Sequence, residues 1–65
     1  MDIVTCSDYV EGESVVLQLT GGCLEYYGNV TEVGQDRMKV EIPFYNSTCT
    51  YTLTDGQKVT TLHKG

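Results

Sequence analysis

Residues 37–44 read Arg-Met-Lys-Val-Glu-Ile-Pro-Phe, and their alternation limits the fold more than any other feature of the chain. Met38, Val40, Ile42 and Phe44 are apolar, while Arg37, Lys39 and Glu41 between them are charged. A period of two with so clean a split defines a strand with one buried and one wet face. The same period recurs in Thr48–Thr54, where Cys49, Tyr51 and Leu53 alternate with Thr. It recurs again in Ser14–Thr20, where Val15, Leu17 and Leu19 share a face. Cys23–Val33 reads as a long strand, with Gly28 permitting a sharp bend because it lacks a side chain. Gln57–His63 reads as a final strand anchored by Val59 and Leu62, although those two differ in parity.

Composition agrees with an all-β chain. Ala is absent, and nine Thr, eight Val and five Tyr favour extended backbone. Turn signals recur about every ten residues, at Glu11-Gly12, Gly21-Gly22, Val33–Asp36, Pro43–Asn46 and Asp55-Gly56. A single helical turn is expected within residues 5–13, capped by Thr5 or Ser7 with acids following. Five short strands in one 65-residue domain, one of them strongly bent, are expected to form a small closed antiparallel barrel. So small a chain buries only about 60% of its unfolded surface, so a staple or a partner is expected.

Several function classes lose support at this level. The longest apolar run, Val15-Val16-Leu17, is too short for a membrane helix. Cys6, Cys23 and Cys49 are odd in number and widely spaced. They read as reduced thiols in a cytoplasmic protein rather than as a disulfide scaffold. No Cys-x-x-Cys or paired His spacing points to a metal, and no cofactor motif is present. The lone His63 has no nucleophile near it in a recognisable motif, and Gly21-Gly22 reads as a hairpin turn rather than a phosphate loop. The chain is therefore expected not to be an enzyme. Its formal charge of −5 disfavours nonspecific grip on nucleic acid by bulk charge.

Two segments together resemble the Sm/Lsm family. The first runs from Val15-Val16-Leu17-Gln18-Leu19 through Gly21-Gly22 and Tyr26-Tyr27-Gly28-Asn29-Val30 to Asp36-Arg37-Met38-Lys39-Val40-Glu41-Ile42. The second is Leu53-Thr54-Asp55-Gly56-Gln57-Lys58-Val59-Thr60-Thr61-Leu62. The resemblance implies a five-stranded bent barrel and a homo-oligomeric ring of five to seven subunits, with single-stranded RNA as a ligand at the pore. At the positions where uridine-binding members carry Asp, a stacking residue, Asn and Arg, this chain has Gln35, Arg37, Lys39 and Asp55. Lys39 cannot accept a hydrogen bond as Asn does, so base reading of the family type is not expected. The resemblance places Arg37, Lys39, Lys58 and Gln35 at the pore, where the bases would hold phosphates weakly and without base preference. The competing assignment is ordinary strand-end charges paired with Asp36, Glu41 and Asp55.

The stretch Asn46–Thr54 carries no charge and no Pro, and an exposed edge of that kind is an aggregation hazard unless something covers it. Pairing with another subunit is the expected cover. Thr48, Thr50 and Thr52 would meet Val59 and Thr61 of the next copy, across the opening that Sm-like barrels leave between their last two strands. A different class, an SH3-like or Tudor-like module that binds a peptide as a monomer, fits the acidic balance and the substituted RNA positions.

Overall fold

The computed structural model describes all 65 residues. Seven strands form in chain order: β1 (Asp2–Ile3), β2 (Ser14–Gln18), β3 (Tyr26–Val33), β4 (Arg37–Phe44), β5 (Ser47–Thr54), β6 (Lys58–Val59) and β7 (Thr61–Lys64). Five of them make one antiparallel sheet in the order β5-β4-β3-β2-β7, and β1 pairs with β6 in a separate two-stranded ladder. The expected closure into a barrel is not present. No ladder joins β5 to β7, so these two strands are the free edges of the sheet.

The core follows the alternation. Leu17, Met38, Val40, Ile42, Leu53 and Val59 are fully buried, together with Val15, Val30, Val4 and Cys6. β4 occupies the bounds its sequence pattern defines, and its outward residues are Arg37, Lys39 and Glu41. β3 starts later than its pattern, at Tyr26. Within it the pairing to β4 shifts between Val30 and Glu32, leaving Thr31 as an extra residue. This bulge reverses parity, so Val30 is buried and Val33 also packs against the core. Gly28 lies where β3 presses against β4. A Cβ there would sit 2.6 Å from the Glu41 carbonyl oxygen and 2.8 Å from Ile42 Cγ1.

The segment 57–63 is two strands rather than one. β6 pairs with β1 and β7 pairs with β2, with the break at Thr60. That break lets Val59 and Leu62 both enter the core despite their opposite parity. The expected turn near the start is a single 3-10 turn, Cys6–Asp8, with Thr5 at its cap position making no side-chain cap bond. No helix of the chain is long and apolar enough to cross a membrane.

Candidate functional site

The β5 edge is built by the hairpin that precedes it. β4 and β5 pair without a break from Arg37↔Thr54 to Phe44↔Ser47, around a two-residue turn at Tyr45–Asn46. Such a turn makes Phe44 and Ser47 the first hydrogen-bonded pair, and the pattern then alternates. Odd residues of β5 turn their amides and carbonyls toward β4, and even residues turn theirs away. Two contacts agree with this parity: the Asp55 amide donates to the Asp36 carbonyl at 2.7 Å, and the outward Thr54 amide is taken by Gln57 Oε1 at 2.9 Å. The outward amides of Thr48, Thr50 and Thr52 meet no acceptor within the chain. All three residues are exposed.

The other edge differs. The Leu62 amide donates to the Asp2 carboxylate at 2.8 Å, so β7 is partly closed by the chain's own first strand. Val59, expected at a subunit interface, has no accessible surface and belongs to the internal core. That removes its side chain from any contact with another copy. Thr61 is half-buried and paired with Gln18.

Beyond Tyr51 the hairpin leaves the core behind. Residues 43–50 are all exposed, including Phe44 and Cys49, which lie on the face that continues Ile42 and Leu53. Tyr51 stacks against Tyr26 with centroids 6.1 Å apart, and Phe44 meets Tyr45 edge-on at 4.9 Å. Tyr45 is 95% exposed and holds φ at 56°, a left-handed conformation that bulky residues rarely adopt.

The turns carrying the expected pore residues do come together. A cleft of about 480 Å³ is lined by Thr5, Ser7, Val33, Gly34, Gln35 and Asp55. Gln35 is the only one of the four expected RNA-contacting residues in its wall. The wall carries the Asp55 carboxylate and no cation. Lys39 stands on the outer face of the sheet and pairs with Glu32 at 3.6 Å, not with Asp36, Glu41 or Asp55. Arg37 and Lys58 form no ion pair; Arg37 opens β4, and Lys58 lies opposite Ile3 in the β1–β6 ladder.

Cys6 lies beneath this end of the molecule. Its amide donates to Asp55 Oδ1 at 2.9 Å. Burial pushes its thiol above the ordinary value, and the carboxylates of Asp55 and Asp36 push in the same direction. It is therefore a packed, protonated thiol rather than a nucleophile. Two features had only weak sequence signals. The closure of β7 by Asp2 links residues sixty positions apart. Glu13 reaches back to the Val10 amide at 2.8 Å, and only the turn signal at Glu11-Gly12 marks the place.

The chain matches no protein-family model, no curated protein and no solved structure.

Proposed function

We propose that this chain is a non-catalytic, Sm-like assembly module that works by adding its β5 edge to a strand of another molecule. The observation that carries the reading is the row of unpaired outward backbone groups at Thr48, Thr50 and Thr52, in a stretch without charge between Glu41 and Asp55. Soluble proteins blunt such edges with charge, Pro or a bulge, and β5 has none of these. Support for the Sm-like form comes from the close approach of β3 to β4 at Gly28 and from the strand order, in which β5 and β7, from the two segments expected at a subunit seam, are the two sheet edges. A ring of five to seven copies, the assembly the resemblance implies, would need β7 as the strand that receives this edge. Arg37 and Lys58, free of ion pairs, would hold single-stranded RNA weakly through phosphates.

Sedimentation of the wild-type chain and of the double variant Thr50→Lys/Thr52→Pro tests the reading. Both amides point away from β4, so neither change removes an internal ladder bond. The wild type is expected to sediment as an assembly and the variant as one chain. A second reading, the monomeric SH3-like or Tudor-like interaction module, is favoured by the Asp2 carboxylate on the Leu62 amide, which closes the edge a ring would need. A wild-type mass of one chain at high concentration transfers the case to that module.

A further inference from the structure

We infer that the strand added to β5 is β5 of a second copy, in a two-fold antiparallel pair centred on Thr50. The inference rests on reading β5 as the assembly edge, and it replaces β7 as the receiving strand. Three observations carry it.

The free groups are symmetric about one residue. Thr48 and Thr52 flank Thr50 at equal distance along the strand, and all three present their amides and carbonyls outward. Turning a copy by 180° about an axis through Thr50 sets Thr50 against Thr50 and Thr48 against Thr52. This arrangement makes about six inter-chain hydrogen bonds, two for each facing pair. No outward group in the row is left over.

The alternative edge is already occupied. A strand approaching β7 must displace the Asp2 carboxylate from the Leu62 amide, where it sits at 2.8 Å. Exchanging a charge-assisted bond for a neutral one gives little return. A strand approaching β5 displaces only water.

Self-pairing through β5 also keeps charge out of the seam itself, the nearest being Glu41 one strand back from Thr50. The chain carries −5, so most surfaces of two copies repel. β5 has no charged residue, and its wet face is a run of Thr, which pairs well with Thr across strands. On the opposite face the pairing sets the exposed Cys49 beside Tyr51 of the second copy, twice by symmetry. Each Cys49 thereby gains an apolar neighbour that its own chain does not supply on that side. The result is one continuous ten-stranded sheet.

Cross-linking distinguishes the possibilities. Chains carrying Thr50→Cys, with Cys23→Ser and Cys49→Ser to silence the exposed thiols, are oxidised with oxidised glutathione. They are tested alone and mixed with chains carrying Lys64→Cys in the same background, since Leu62 and Lys64 are the residues of β7 whose backbone groups turn outward and Lys64 is the exposed one. Facing residues of a hydrogen-bonded pair have Cα atoms about 5.5 Å apart, within disulfide range. The expected product is a covalent dimer joined at position 50, in most of the chain, with no 50–64 product in the mixture. Sedimentation of the unmodified chain should give twice the mass of one chain. The amide of Thr50 should exchange with solvent at least tenfold more slowly as concentration rises into the dimer range. A 50–64 product, or a larger assembly without the 50–50 link, overturns the two-fold pair while leaving the assembly reading standing. A single-chain mass with no concentration-dependent protection at Thr50 overturns both.

Discussion

The backbone amide of Cys6 donates to Oδ1 of Asp55 at 2.9 Å, tying the 3-10 turn to the turn after β5 across forty-nine positions of sequence. A hydrogen bond to a charged acceptor contributes about 1.5–3 kcal/mol, and the exposure of Asp55 places this one at the low end. Asp55→Ala is expected to cost about 1–2 kcal/mol in urea unfolding, and Asp55→Asn less, because the acceptor oxygen remains. The raised thiol of Cys6 fixes the sign at alkaline pH. The folded chain holds this proton more tightly than the unfolded chain, so stability falls once pH passes the ordinary thiol value. Titration with a thiol reagent should find Cys23 and Cys49 fast and Cys6 slow.

Acid should act through Glu13. Its carboxylate accepts the Val10 amide and lies 3.1 Å from Lys64 Nζ, and these two contacts hold it below its usual range. A depressed carboxylate contributes stability above its unfolded value, about 4.3, and loses it as pH falls through the folded one. Melting temperature followed below that pH should drop less steeply in Glu13→Gln than in the wild type. Equal slopes would mean that other carboxylates carry the acid limb.

Gly28→Ala introduces a Cβ 2.6 Å from the backbone oxygen of Glu41, which cannot swing aside as a flexible side chain can. Overpacking of this kind costs about 1–3 kcal/mol, and a backbone neighbour places it at the upper end. The urea midpoint should fall accordingly, with the slope of the transition unchanged.

Tyr45 is held at φ 56° with almost no packing to compensate. The left-handed conformation costs a bulky residue about 1–2 kcal/mol. Its edge-on contact with Phe44 returns about 0.5–1.5 kcal/mol at most. Tyr45→Asn, which tolerates this backbone, should therefore raise stability by about 0.5 kcal/mol. An unchanged or lower melting temperature would show that the aromatic pair outweighs the strain.

Nucleic acid should bind weakly. Titration of labelled uridine-rich and adenine-rich oligonucleotides at two salt concentrations is expected to give similar, strongly salt-dependent affinities. Arg37→Glu/Lys58→Glu should abolish them. Lys39→Glu should do less, because Glu32 already holds that ammonium. Tight uridine-selective binding would contradict the assignment of Gln35, Lys39 and Asp55 as substitutions that remove base reading.

Local alternation located β4 most directly, because Met38, Val40 and Ile42 are buried between wetter neighbours and burial writes its period into a strand; β2 also buries Val16 beside Val15 and Leu17, and β5 buries Leu53 alone, so there the pattern marks the strand without marking the buried face. The parity clash between Val59 and Leu62 was a true signal of the break at Thr60. It was visible in the sequence but not interpretable there, since only the pairing of β6 with β1 explains it. Alternation also assigns a face without assigning depth. Phe44 and Cys49 lie on the core-facing side of their strands yet stay exposed, because the hairpin outruns the sheet that would cover them. Whether the sheet closes is set by twist and by contacts such as Asp2 with Leu62, which no short window contains. The four residues expected at the pore are likewise not gathered in one place. Arg37 and Lys39 are two residues apart on the outer face of β4, whereas Gln35 and Asp55 reach the cleft through turns.

The placement of β7 beside β2 sets a timetable for synthesis. β2, β3, β4 and β5 can zip up as successive hairpins while the chain is being made, but the second edge of β2 waits for Thr61–Lys64. Until those residues emerge, the second edge of the nascent sheet is β2 itself, without the Asp2 contact that partly closes β7, and with Val15 and Leu17 incompletely covered. Long-range closure of this kind is slow compared with hairpin formation. Crowded polysomes making this chain would therefore hold it, for a short interval, in the form most prone to joining the wrong neighbour.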